Sequence, residues 1–325
     1  MKFIITIDTE GDNQWDHGRD LSVVNIRFIP RFQDLCNKYK IKPTYLVTSD
    51  ICEDDFGREI FTDYLLTGKA EIGAHLHSWT TPPFKNKDVL RKNDKNHAFA
   101  HELPEELLTE KIRNLTGQIE AAFCKRPFSF RSGRYGFNKT VARILADNLY
   151  KVDSSVTPFI DWSANKGIPG GSWGPDFLES TPFPYEYTFN NNSLLEIPIT
   201  ILPTRFPLNK NEKLARYYFR NVDNSLLLKV FRRLFFRNQP LWYRPHSWMN
   251  IPMFEELLKE SANLRLPFIV MMFHSSELMP GCSIYRTDED SVEKLYELLE
   301  GFFIILCDRE INSVTLTEAA NDFRQ

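Results

Sequence analysis

The stretch Phe3-Ile4-Ile5-Thr6-Ile7-Asp8-Thr9-Glu10 sets the reading of the fold. Its apolar run predicts a buried strand. A parallel strand that ends in carboxylates delivers them to the rim where such folds carry their chemistry. Asp8 and Glu10 lie two residues apart, so on an extended chain they project from one face. One can ligate a metal while the other takes a proton.

Outward from this strand the pattern repeats. Pro43 to Thr48, Glu71 to His77, Phe128 to Arg131, Tyr150 to Asp153, Leu194 to Leu202 and Phe268 to Phe273 read as further strands. Helical patterns lie between them: from Pro30 with Phe32, Leu35 and Tyr39 on one face, over Ile60 to Leu66, from Pro104 through Phe123, over Asn138 to Asn148, and around Ser291 to Leu299. Strands alternating with helices predict an α/β fold with a parallel sheet, open or closed into a barrel. No internal repeat is detected.

Two segments interrupt the rhythm. Thr157 to Asn192 is rich in Pro, Gly, Asn and aromatic residues and predicts a long loop over one face. Residues from 203 to about 250 form a basic and aromatic insertion. Ten Lys or Arg (Arg205, Lys210, Lys213, Arg216, Arg220, Lys229, Arg232, Arg233, Arg237, Arg244) stand against Glu212 and Asp223, about +8 inside a chain of −3. Within it, Leu226 to Arg237 mixes large apolar and cationic residues as an interfacial helix would.

The bulk numbers exclude some classes. At 325 residues, with 42% apolar and 26% charged residues, the chain can bury a large core, and we expect one domain over residues 1–325. A net charge of −3 gives no nucleic-acid footprint. Five scattered cysteines with no C-x-x-C pair suggest free thiols in a reducing compartment. No signal peptide or membrane span is read, so the expected location is the cytoplasm.

Three constellations could carry chemistry. His75 and His77, at the end of a strand, place both imidazoles on one side, as a mononuclear metal site requires. Arg131, at the end of a strand and before the turn Ser132-Gly133-Arg134-Tyr135-Gly136, can fork onto a carboxylate and hold it ionised. His274 closes the apolar run Val270-Met271-Met272-Phe273 and is well placed as a general acid, tuned by a neighbouring carboxylate. Asp153 and Asp161 are the candidates for that neighbour.

Taken in order, Thr-Ile-Asp-Thr-Glu (6–10), Glu-Ile-Gly-Ala-His-Leu-His (71–77), Phe-Arg-Ser-Gly-Arg-Tyr-Gly (130–136), Val-Asp-Ser-Ser (152–155) and Phe-His-Ser-Ser-Glu-Leu (273–278) resemble the motifs of the NodB-homology polysaccharide deacetylases, carbohydrate esterase family four. His-Leu-His followed by Trp-Thr-Thr-Pro-Pro is similar to a subgroup associated with bacterial surface-polysaccharide biosynthesis. The resemblance implies a distorted (β/α) barrel of about seven parallel strands with long loop insertions. It also implies metal-dependent hydrolysis that removes an N-acetyl group from a sugar in a glycan or glycan precursor. Carried over by motif, Asp8 is the base, Glu10, His75 and His77 hold the metal, Arg131 orients Asp8, and His274 protonates the leaving amine with Asp153 or Asp161 supporting it. Tyr135, through its backbone N–H, together with Trp79 and Asp161, falls at the substrate. Many family members space the metal histidines H-x-x-x-H, which would put the second at Trp79; H-x-H on one strand face selects His77.

The implied cofactor is one divalent metal, zinc first, with iron, cobalt or nickel as alternatives. The basic insertion points to an anionic acceptor, nucleotide- or lipid-linked, and to peripheral contact at the inner membrane surface. The competing readings are the same fold acting on a non-sugar amide, and a catalytically silent carbohydrate-binding protein.

Overall fold

In the computed structural model, residues 1–12, 22–84, 98–235 and 240–324 are described, 231–235 by backbone alone. The strands are Lys2–Thr9 (β1), Pro43–Val47 (β2), Glu71–Leu76 (β3), Ser129–Ser132 (β4), Val152–Asp153 (β5), Tyr185–Thr188 (β6), Ser193–Glu196 (β7), Ile201–Leu202 (β8), Leu241–Trp242 (β9) and Phe268–His274 (β10). The helices are Ile29–Lys38 (α1), Ser49–Glu53 (α2), Asp55–Leu66 (α3), Glu105–Phe123 (α4), Lys139–Asp147 (α5), Glu212–Asn221 (α6), Leu226–Phe235 (α7), Ile251–Leu264 (α8), Glu289–Asp308 (α9) and Leu316–Phe323 (α10). Pro30 sits in the first turn of α1, and Glu105 and Glu106 in that of α4, where the helix dipole favours acid.

One curled sheet runs in the order β10-β1-β2-β3-β4-β5-β7-β6. Seven of its strands are parallel, and β6 adds an antiparallel edge to β7. The fold is thus a distorted (β/α) half-barrel. Between β7 and β10 the chain itself bridges the gap. Ile197 N–H donates to Asp153 O (2.9 Å), Ile199 N–H to Val156 O (3.0 Å) and Thr200 N–H to Val270 O (3.2 Å). Pro198 interrupts this run, and proline has no N–H to give a ladder. The expected strand from Leu194 to Leu202 is therefore divided into β7 and β8, with β8 pairing β9 in a small second sheet. The loop from Thr157 to Asn192 holds β6, a strand the sequence does not predict.

Alternation along the strands sorts two cores. Phe3, Ile5 and Ile7 of β1, Tyr45 and Val47 of β2, and Ile269, Met271 and Phe273 of β10 face the helices. Ile4, Leu46, Val152, Leu195, Phe268 and Val270 face inward, where Leu316, Ala319 and Ala320 of α10 plug the end at the strand N-termini. Stepping inward along β1 from Ile4 past Thr6 to Asp8 leads from this apolar plug to a polar rim. No helix among the described residues is long and apolar enough to cross a membrane.

Candidate active site

Asp8 and Glu10 leave β1 on the inner side, and His75 and His77 leave β3 on the same side, because each alternates with a residue of the outer core such as Ile7, Ala74 or Leu76. The two strand ends bring them together. Glu10 Oε2 lies 2.7 Å from His77 Nε2 and 3.5 Å from His75 Nε2. All three side chains are buried, with ligand atoms within 4.8 Å of one another.

Two imidazole nitrogens and a carboxylate sharing one point are a donor set for a divalent cation. The surroundings fit that use. Glu10 Oε1 and His77 Nδ1 are buried without a hydrogen-bond partner, so the cluster is not satisfied by the protein alone. His75 Nδ1 lies 3.0 Å from Arg131 O. A carbonyl only accepts, so Nδ1 carries a proton, and Nε2 is the ring atom directed at Glu10 and available to a cation. Gly133 makes room for the second ring: a Cβ there would stand 2.5 Å from His77 Nδ1. Trp79 is buried and packs its ring 4.3 Å from that of His77.

Charge in this pocket is strongly coupled. Burial would raise the Glu10 carboxyl, but hydrogen bonds from His75 and His77 outweigh it and hold the acid well below its ordinary range. The two imidazoles diverge. Burial disfavours the charged form of both; Asp8 and Glu10 overcome it at His75, whereas at His77 burial prevails.

Asp8 is held by the fully buried Arg131, Nη1 to Oδ1 at 2.6 Å. The same guanidinium donates to Thr6 Oγ1 (2.9 Å), Ser154 O (2.7 Å) and Ser154 Oγ (3.1 Å), which fixes its plane. Burial would raise Asp8, but Arg131, then His75 and His274, bring it below the usual carboxylate range. Its second oxygen, Oδ2, faces His75 Nε2 at 3.9 Å and His274 Nε2 at 4.0 Å. Register explains the second approach, since Asp8 and His274 are paired residues on β1 and β10.

The carboxylate found at His274 is Glu277, where the sequence predicts Asp153 or Asp161. Glu277 Oε1 lies 3.3 Å from His274 Nδ1 and 3.2 Å from its backbone N–H, and Arg244 Nη2 joins Glu277 at 2.9 Å. Asp153 follows Val152 of the inner core and so faces the other side of the sheet. There it accepts from Ser155 N–H and Oγ, both at 2.8 Å, and shares a hydrogen bond with Glu196. Asp161 is exposed, bridged to Asp176. Arg244 and Glu277 are the residues missed. Glu277 stands three residues after His274 and could have been found; Arg244 is hidden in the basic run.

After β4 the chain turns sharply. Arg134 and Tyr135 both adopt left-handed backbone, at φ 53° and 59°, a strained arrangement for two side-chain-bearing residues. The Tyr135 ring stacks on Trp162 at 5.3 Å and meets Trp242 edge-on at 6.4 Å, an aromatic group beside Met272.

No family model and no curated protein matches this chain. Solved structures do. A candidate polysaccharide deacetylase from Mycobacterium smegmatis superposes with a TM-score of 0.55 at 12% identity, over 99% of this chain and 90% of that one. A 4-alpha-glucanotransferase from Thermococcus litoralis gives 0.50 at 11% identity, over 99% of this chain and 38% of that one. A family 4 acetyl xylan esterase from Clostridium thermocellum, in complex with a cobalt ion, gives 0.43 at 13% identity, over 98% and 90%. At these identities the likeness is one of fold.

Proposed function

We propose that this chain is a metal-dependent hydrolase that removes an N-acetyl group from a sugar in a glycan or glycan precursor. The observation that carries the reading is the meeting of Glu10, His75 and His77 beside an Asp8 that Arg131 keeps ionised and His274 faces. Fold likeness to a candidate polysaccharide deacetylase supports it. Fold alone would not, since the same barrel serves a glucanotransferase.

Glu10, His75 and His77 would hold the cation, zinc first on the donor set, with iron, cobalt or nickel as alternatives. When bound, it supplies Lewis acidity toward the acetyl carbonyl and lowers the pKa of water. Asp8 accepts at Oδ2 the proton of the attacking water, because its Oδ1 is occupied by Arg131. His274 gives a proton from Nε2 to the departing amine nitrogen as the C–N bond breaks, so that acetate and a free amino sugar result. Asp8 and His274 are 4.0 Å apart, close enough to act on one carbonyl carbon and its substituents. The Tyr135, Trp162 and Trp242 rings offer faces on which a sugar can stack, and the backbone N–H of Tyr135 is the oxyanion donor that the motif implies.

The finer assignment is to surface-polysaccharide biosynthesis on the cytoplasmic side, with a nucleotide- or lipid-linked acceptor, supported by the His-Leu-His and Trp-Thr-Thr-Pro-Pro run and the basic insertion. Protein purified without added metal should carry close to one equivalent of a divalent cation and release acetate from N-acetylated sugar donors. A chain that neither holds metal nor takes it up, or that frees acetate only from non-sugar amides, would end this reading.

A further inference from the structure

Leu226 and Leu227 are 78% and 82% exposed, the two most exposed large apolar side chains among the described residues. Val230 follows at 48%. On a helix with about 100° per residue, these three share an arc of about 100°, and Lys229 flanks it. The opposite side of α7 is anchored. Leu228 packs on the small core of Leu208, Ala215, Tyr218 and Val222. α6 in turn is pinned to the loop after β5: Arg216 donates to the carbonyls of Leu178 and Ser180, and Phe219 meets Phe159 at 6.1 Å. The apolar arc is therefore held outward by a built base. Lys229 is exposed beside it, Lys210 and Lys213 are exposed on the segment that forms its base, and none of the three makes an ion pair among the described residues.

We propose that α7, on its α6 base, docks this protein to the surface of an anionic lipid bilayer. The leucines enter the boundary of headgroups and acyl chains, and the lysines lie over lipid phosphates. Charge complementarity selects this occupant. Arg205, Arg216, Arg220 and Arg244 of the basic segment are paired with acids, so the free positive charge among the described residues is that of Lys210, Lys213 and Lys229, and a second copy presenting the same lysines would be repelled. A soluble polyanion would satisfy the lysines and leave Leu226 and Leu227 in water. The loop that receives α6 continues through Ile160 to Trp162, so the docking base is joined to the aromatic rim through one short stretch of chain. It does not depend on the chemistry performed there.

Co-sedimentation of the full chain with vesicles tests the proposal. Binding is expected to phosphatidylcholine vesicles containing phosphatidylglycerol and not to phosphatidylcholine alone, and high salt should weaken it roughly 10-fold. Leu226→Ser with Leu227→Ser should weaken it by at least roughly 10-fold while the circular dichroism spectrum stays unchanged. Lys210→Glu, Lys213→Glu and Lys229→Glu together should reduce it by about 100-fold. Equal binding to neutral vesicles would overturn the proposal, as would no binding by the intact chain. So would full retention by the leucine variant, which would mark a plain polyanion site. A leucine-dependent dimer in light scattering, with no vesicle binding, would assign the face to self-association instead.

Discussion

The guanidinium of Arg244 reaches His274 at 3.0 Å, Nη2 to Nδ1, while also holding Glu277 Oε1 at 2.9 Å. Glu277 Oε1 is itself 3.3 Å from the same Nδ1. One ring nitrogen thus faces both a donor and an acceptor. When His274 is neutral with its proton on Nε2, Nδ1 accepts from Arg244. When the ring is protonated, Nδ1–H donates to Glu277. A ring that gives up its Nε2 proton keeps the one on Nδ1, so Glu277 remains its partner before and after the transfer.

The ion pair behind His274 should be visible in stability. Glu277 is fully buried; burial would raise it, but Arg244 and His274 outweigh that and bring it to about 2. Arg244→Met alone leaves an uncompensated buried carboxylate and should lose about 3–5 kcal/mol. Adding Glu277→Gln should restore part of that loss. A carboxyl depressed on folding stabilises fully above 4.5, and that share is lost as pH falls through about 2. Across this window chemical denaturation should show wild type falling roughly 3 kcal/mol further than Glu277→Gln. Parallel curves for the two proteins would mean the pair carries no such energy. Glu277→Gln should also lower turnover by roughly 10- to 100-fold with metal content unchanged.

Asp8 and the metal cluster should separate cleanly. Asp8→Asn is expected to lower turnover by about a thousand-fold, while metal analysis reads the same as wild type, because Glu10, His75 and His77 converge without it. Glu10→Gln or His77→Ala should instead lose the metal and the activity together. An Asp8→Asn protein devoid of metal would make Asp8 a ligand and remove it as the base.

Gly133 provides a test of His77 that leaves every ligand in place. A methyl at this position would press within 2.5 Å of His77 Nδ1 and 2.8 Å of Leu76 O, and the latter is backbone that cannot swing aside. Gly133→Ala should weaken metal affinity by roughly 10- to 100-fold in a competition titration. Gly117→Ala in α4, where nothing lies within 4 Å, serves as the control and should leave affinity alone. Unchanged affinity in Gly133→Ala would argue that His77 does not hold the metal.

What the sequence made legible is what repeats locally. The apolar runs of β1 and β10 and the two-residue spacing of Asp8 with Glu10 and His75 with His77 follow from strand period alone, and each falls on the inner rim. Asp153 misleads for the same reason. A two-residue strand carries too little pattern to show its face, and only Val152 in the inner core reveals that Asp153 points outward. β6 escapes notice because Tyr185 to Thr188 alternates between half-buried and exposed at a sheet edge and has no apolar run. Arg244 was beyond local reading. It meets His274 because Tyr243 is threaded between Thr200 and Met272, a contact made by chain segments far apart in sequence.

Asp153 and Glu196 give the opposite pH sign to Glu277. They are register partners on β5 and β7, both buried, and burial together with mutual repulsion pushes Glu196 well above the ordinary range and raises Asp153 as well. Two such buried carboxyls share one proton more readily than they carry two charges. A carboxyl raised on folding stabilises below its unfolded value of 4.5 and loses that contribution as pH climbs toward the folded value. Glu196→Gln, which fixes the uncharged form and can still accept from Val156 N–H, should therefore melt higher than wild type at neutral and alkaline pH and converge with it in acid. Thermal melts across pH check this. A variant less stable than wild type at high pH would show that the charged pair is satisfied by its surroundings, and that the sheet tolerates both carboxylates ionised.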